Sequence, residues 1–122
     1  MNRDELQVRT KRFALRIMKL ADALPNMVSG RVVTGQIVRS GTSVGANYRA
    51  ACRAKSKADF VNKINIVLEE ADETTYWLEL IIEGDLLARK LVQPLHDASV
   101  DLTKIFFRIL QTSKNGSTNH KS

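Results

Sequence analysis

A single cysteine, Cys52, occurs in the 122 residues, so no disulfide can form within the chain. A lone thiol fits a reducing compartment. Histidine is almost as scarce. His96 and His120 are the only two. Without a Glu-x-x-His pair they do not make the ligand set that a metal in a helical bundle needs. No apolar run approaches the roughly 18 unbroken residues of a membrane span. The opening "MNRDELQVRTKRF" is charged throughout and lacks the apolar stretch of a secretory leader. A soluble cytoplasmic protein is expected. Period-two alternation is missing too. The one Asn-Gly, at 115–116, lies beyond the apolar segments and joins no hairpin. Nothing therefore points to strands.

Catalytic and nucleotide-binding signatures are also missing. "SGTSVGAN" has glycines at 41 and 45. A phosphate loop would need the spacing GxxxxGK[ST], and a dinucleotide fingerprint would need GxGxxG after a strand. No GxSxG elbow surrounds any serine. Cys52 has no neighbouring base to activate it, and it reads as a small packed side chain. The acidic run Glu69, Glu70, Asp72, Glu73, with Glu79 and Glu83, reads as a solvated face or as salt-bridge partners for basic helices. No catalytic residue, metal, cofactor or small-molecule substrate is expected.

What is present is helical periodicity over one domain's worth of chain. Hydrophobic residues make up 43%, enough for a core without staples. In the first segment Leu6, Phe13, Ile17, Leu20 and Leu24 share a stripe, with Thr10 at the missing step. In the second the stripe is Ile37, Gly41, Val44, Tyr48 and Ala51. The third runs Phe60, Ile64, Val67, Ala71, Thr74, Leu78 and Ile81. Ser56 with Asp59 resembles a capping box at its start, and Gly84 is a stop. The fourth runs Leu91, Leu95, Ala98, Leu102, Ile105 and Ile109, with Pro94 marking the helix start or a kink. Helices are expected over about 3–24, 29–54, 57–83 and 88–112, and the polar tail 113–122 reads as disordered. Short joints make successive helices antiparallel. The expectation is an all-α, up-down-up-down four-helix bundle. Trp77, Phe106, Phe107 and other apolar residues remain once the stripes are filled, which points to self-association.

The glycines at 41 and 45 fit a helix better than a loop. Small residues on this segment allow a neighbouring backbone to come close. Asn47 sits in that strip, where one use for its amide is to bridge helices and set register.

Charge is unevenly spread. Residues 1–63 hold 13 Lys and Arg against 4 Asp and Glu, whereas residues 64–122 hold 6 against 9. The basic half suggests an anionic partner, nucleic acid foremost. The residues put forward for phosphate contact are Arg9, Arg12, Arg16, Arg39, Arg49, Arg53, Lys55, Lys57 and Lys63. Lys11 and Lys19 add charge to the first helix. Tyr48 is the one aromatic candidate among the basic segments, and its place on a stripe points it inward. Base stacking is therefore not expected.

The stretch Gly35 to Ile81 resembles the four helix bundle protein family. That family includes proteins encoded in intervening sequences of bacterial 23S ribosomal RNA genes and the accessory variability determinant of diversity-generating retroelements. The resemblance rests on Gln36, Arg39 and Ser40; on Ser43, Val44 and Asn47; on Ser56, Asp59 and Phe60; and on Glu70, Glu73, Trp77, Leu78 and Glu79. The first and fourth helices match in pattern and length. The resemblance implies a non-enzymatic, homopentameric bundle that binds nucleic acid, with ribosomal RNA or a reverse transcriptase as possible partners. Such proteins often carry an acidic residue after the Asn of the second helix. Here "NYRAA" has Arg49 and Ala50, which marks a more basic branch.

Overall fold

The computed structural model describes residues 1–119, with side chains described for residues 1–115. Four helices follow one another: α1 (Arg3–Asp22), α2 (Val28–Ala51), α3 (Lys57–Glu83) and α4 (Arg89–Asn119). No strand occurs among the described residues, and the helices pack as a four-helix bundle.

The helix ends follow from local chemistry. Asn2 caps α1, its side chain accepting from the Glu5 N–H at 2.8 Å. Ser56 caps α3 by accepting from the Asp59 N–H at 3.0 Å. Asp59 returns a bond to the Lys55 N–H at 3.3 Å, one residue before the cap, so the capping box is a displaced one. Gly84 caps the end of α3, and Asp85 takes up the left-handed conformation there (φ 54°). Pro94 lies inside α4, and the helix begins before it at Arg89.

The expected tail is corrected at the C-terminus. A disordered segment was expected from Ser113, but α4 continues to Asn119. The Ser113 hydroxyl donates to the Ile109 carbonyl at 2.8 Å, a bond made within a continuing helix. Residues 120–122, the rest of that expectation, lie outside the described residues.

The core matches the expected stripes on α2 and closely on α1 and α3. Ile17, Ile37, Val44, Ile64, Leu78 and Ile81 are fully buried. Tyr48 of α2 reaches Phe106 of α4 diagonally across the core, ring centroids 5.3 Å apart. Glycine has a packing reason at two positions. A Cβ on Gly41 would stand 2.8 Å from Ile17, and one on Gly30 would stand 1.9 Å from the Pro25 carbonyl oxygen.

On α4 the buried row is Val92, Leu95, Ser99, Leu102, Phe106 and Leu110. The expected row kept Leu95 and Leu102 but placed Leu91, Ala98, Ile105 and Ile109 beside them. Leu91 is 59% exposed, and the other three are half-buried. The rotation goes with an uneven bundle. α4 packs along α3, while α1 and α4 touch only slightly. Ser99 is buried because its hydroxyl meets that of Thr75 and also donates to the Ala71 carbonyl at 3.3 Å.

Candidate nucleic-acid interface

α1 and α2 run antiparallel, so the start of α1 lies beside the end of α2. Ile17 faces Gly41 and Thr10 faces Gly45. The same end of the bundle holds the turn from α2 to α3. The cations Arg49, Arg53, Lys55 and Lys57 are thereby gathered at one end, near Arg3, Asp4 and Glu5 of the α1 start, and Lys11 and Arg12 lie about halfway along α1. The acids Asp22, Glu79, Glu83 and Asp85 lie toward the other end, where Lys19, Arg31, Arg89 and Lys90 offset them.

The nine candidate residues fall in three places. Arg9, Arg12 and Arg16, spaced three and four apart, form one stripe on α1. That stripe borders α4, because Arg9 reaches Asp101 at 4.0 Å. Arg49 and Arg53 lie on the opposite side of α1, across its seam with α2. Lys55, Lys57 and Lys63 belong to the α2–α3 turn and the start of α3. Arg39 stands apart on the α3 side of α2.

Ion pairing further divides them. Arg39 bonds Glu70 at 3.1 Å and also holds Glu73, which in turn accepts from the Trp77 indole N–H at 3.0 Å. This ties α2 to α3 and uses the acidic run as salt-bridge partners. Lys63 pairs with Asp59. That pairing, with the Lys55 N–H behind it, lowers the Asp59 carboxyl below its ordinary value of 3.8. Among the described residues no carboxylate comes within ion-pair distance of Arg12, Arg16, Arg49, Arg53, Lys55 or Lys57. All six are exposed.

A groove of about 480 Å³ opens on the outer side of the α1–α2 seam. Lys11, Arg49 and Arg53 supply its charge, and the small residues Ala14, Gly45 and Ala46 leave the space. Gln7 and Thr42 add neutral polar groups, and no acidic or aromatic side chain lines it. The sequence reading noted Lys11 only as added charge. It did not reach Gln7, Ala14 or Thr42, because their meeting depends on helix pairing.

Other polar groups are spent on packing. Asn47 does not bridge helices through its amide N–H, which donates to the Ser43 carbonyl of its own helix at 2.8 Å. The interhelical register is held instead by Ser40 and Thr74, whose buried hydroxyls meet at 2.9 Å. Tyr48 is buried. That burial, with a hydrogen bond to the half-buried Cys52, raises its phenol well above the ordinary 10. His96 Nε2 lies 3.4 Å from Glu79, and its buried Nδ1 has no hydrogen-bond partner. Among the described residues no group of three or more His, Cys, Asp and Glu is placed to hold a metal. No helix there is long and apolar enough to cross a membrane.

The architecture is that of a helical bundle with an uneven distribution of charge. Residues 5–108 match the 23S rRNA-intervening sequence protein family, and the chain belongs to it. The fold is similar to the crystal structure of a protein of unknown function from the S23 ribosomal protein family of Bacteroides thetaiotaomicron. The two share 42% identity at a TM-score of 0.81, over 87% of this chain and 98% of that one. Neither the family nor this structure is named for an enzymatic activity. No curated protein matches the chain.

Proposed function

We propose that this protein is a non-enzymatic, homo-oligomeric bundle that binds RNA through its backbone phosphates. One observation carries the reading: cations without carboxylate partners gather at one end of the bundle. Lys and Arg held this way neutralise phosphates and release condensed counterions, which gives affinity without sequence information. Self-association rests on the thin α1–α4 seam. It leaves Leu91 exposed and Ala98, Ile105 and Ile109 half-covered, an apolar strip suited to a second copy. The closed assembly is a pentamer, as the family resemblance implies. Its place of work is the cytoplasm.

Filter binding with RNA tests the reading. Affinity should fall at least about tenfold between roughly 50 and 200 mM salt. Absence of binding, or binding indifferent to salt, counts against it. Sedimentation should give several times the mass of one chain, and a clean monomer at high micromolar concentration removes the oligomer.

A second reading, an adaptor for a protein such as a reverse transcriptase, is favoured by exposed Tyr76 and Phe107. A partner retained in pull-down after nuclease treatment would favour the adaptor. Loss of the partner on that treatment favours RNA.

A further inference from the structure

We infer that the α1–α2 groove is the seat of the nucleic acid and that it takes one single-stranded segment by its phosphodiester backbone. The inference rests on the RNA-binding reading and adds to it a site, a strand preference and an indifference to base sequence. Three features of the groove argue for it together.

The first is charge. Lys11, Arg49 and Arg53 converge on one space from two helices, and no carboxylate lines that space or pairs with them among the described residues. Elsewhere on this chain Arg39 and Lys63 have acidic partners. Three uncompensated cations around a concavity create a positive potential that a surface lysine alone does not.

The second is shape. About 480 Å³ lies within the range of ligand sites. Packed helix axes stand about 8–10 Å apart, and the contacts of Gly41 with Ile17 and of Gly45 with Thr10 draw this pair close. The groove between such helices admits a slender chain. A duplex is much wider than that spacing and would not enter.

The third is what the lining omits. Without an aromatic side chain there is no ring for base stacking, the usual source of affinity for bases in single strands. Backbone contact remains, and that is shared by all sequences.

The test uses the full chain, a labelled single-stranded oligouridylate, the matching oligoadenylate, an RNA duplex and uridine monophosphate. Ala46→Leu fills the groove without changing charge. Leucine is a good helix former at this exposed position and offers no ring for stacking. Arg49→Gln with Arg53→Gln removes charge without filling space. Lys90→Gln, exposed outside the groove, is the charge control. Ala46→Leu should weaken oligouridylate binding by about tenfold or more, the loss of roughly one good contact. The double Arg variant should weaken it and lower the salt slope by about 1.4, two phosphates at about 0.7 each for a single strand. Lys90→Gln should bind as the unaltered protein does, and oligoadenylate should equal oligouridylate.

Salt-dependent binding that survives both groove variants overturns this inference and leaves the RNA-binding reading standing. Duplex or uridine monophosphate binding as tightly as the strand also overturns it. No binding of any polynucleotide by the unaltered protein overturns both.

Discussion

At the residue scale the glycines of α2 show how one side-chain choice depends on what faces it. Gly41 lies against Ile17 with no room for a methyl group, whereas a Cβ on Gly35 would have nothing within 4 Å. Glycine is costly in a helix interior, so only the first has a reason to remain. Gly41→Ala should lower stability by about 1–3 kcal/mol through overpacking. Gly35→Ala should raise it by up to about 1 kcal/mol. Urea denaturation of the two variants reads both signs. The expectation that small residues mark close packing was legible in "SGTSVGAN". The face they present was not. Ser40 turns to α3 and Gly41 to α1, and adjacent residues on a helix point about 100° apart.

At the element scale the helices were legible and the rotation of α4 was not. Both candidate rows on α4 are apolar, so periodicity alone could not choose between them. Phe106 is core and Phe107, its neighbour, is half-exposed. The deciding residue, Ser99, reads as a surface residue in sequence. Its burial depends on the Thr75 hydroxyl and the Ala71 carbonyl, which belong to another helix. The pair of Ser40 and Thr74 is the same device between α2 and α3. Thr74→Val should cost about 1–3 kcal/mol, because it removes the hydroxyl that donates to the buried Ser40 oxygen and leaves Ser40 only its long 3.5 Å bond to the Ile37 carbonyl. Adding Ser40→Ala should recover much of that loss. A double-mutant cycle measures the coupling, and additive losses would mean the hydroxyls do not depend on each other.

At the scale of the whole molecule, charge and pH response follow from assembly. The sequence is basic in its first half, and the folded chain distributes that charge unevenly, because an antiparallel pair sets the start of α1 beside the end of α2. Tyr48 belongs to the same account, since it closes the core against Phe106. Its raised pKa means that the folded state keeps the phenolic proton which the unfolded chain gives up near 10. The unfolded state then binds fewer protons, so stability is intact below that value and falls as pH rises past it. Tyrosinate absorbance should report Tyr48 ionising as the helical circular dichroism is lost. A Tyr48 that titrates in the intact fold at its ordinary value would contradict this.

Number, order and approximate extent of the helices were determined by the sequence alone. Periodic apolar spacing, caps and punctuation act over a few residues, and each helix satisfies its own backbone hydrogen bonds. The density of cations was determined there too. Only the tertiary structure decided which row of α4 is core, that Glu70 and Glu73 neutralise Arg39, and that Lys11 meets Arg49 and Arg53 around one groove. Those outcomes depend on side chains far apart in the chain, and pairwise packing of helices, which local spacing does not encode, brings them together.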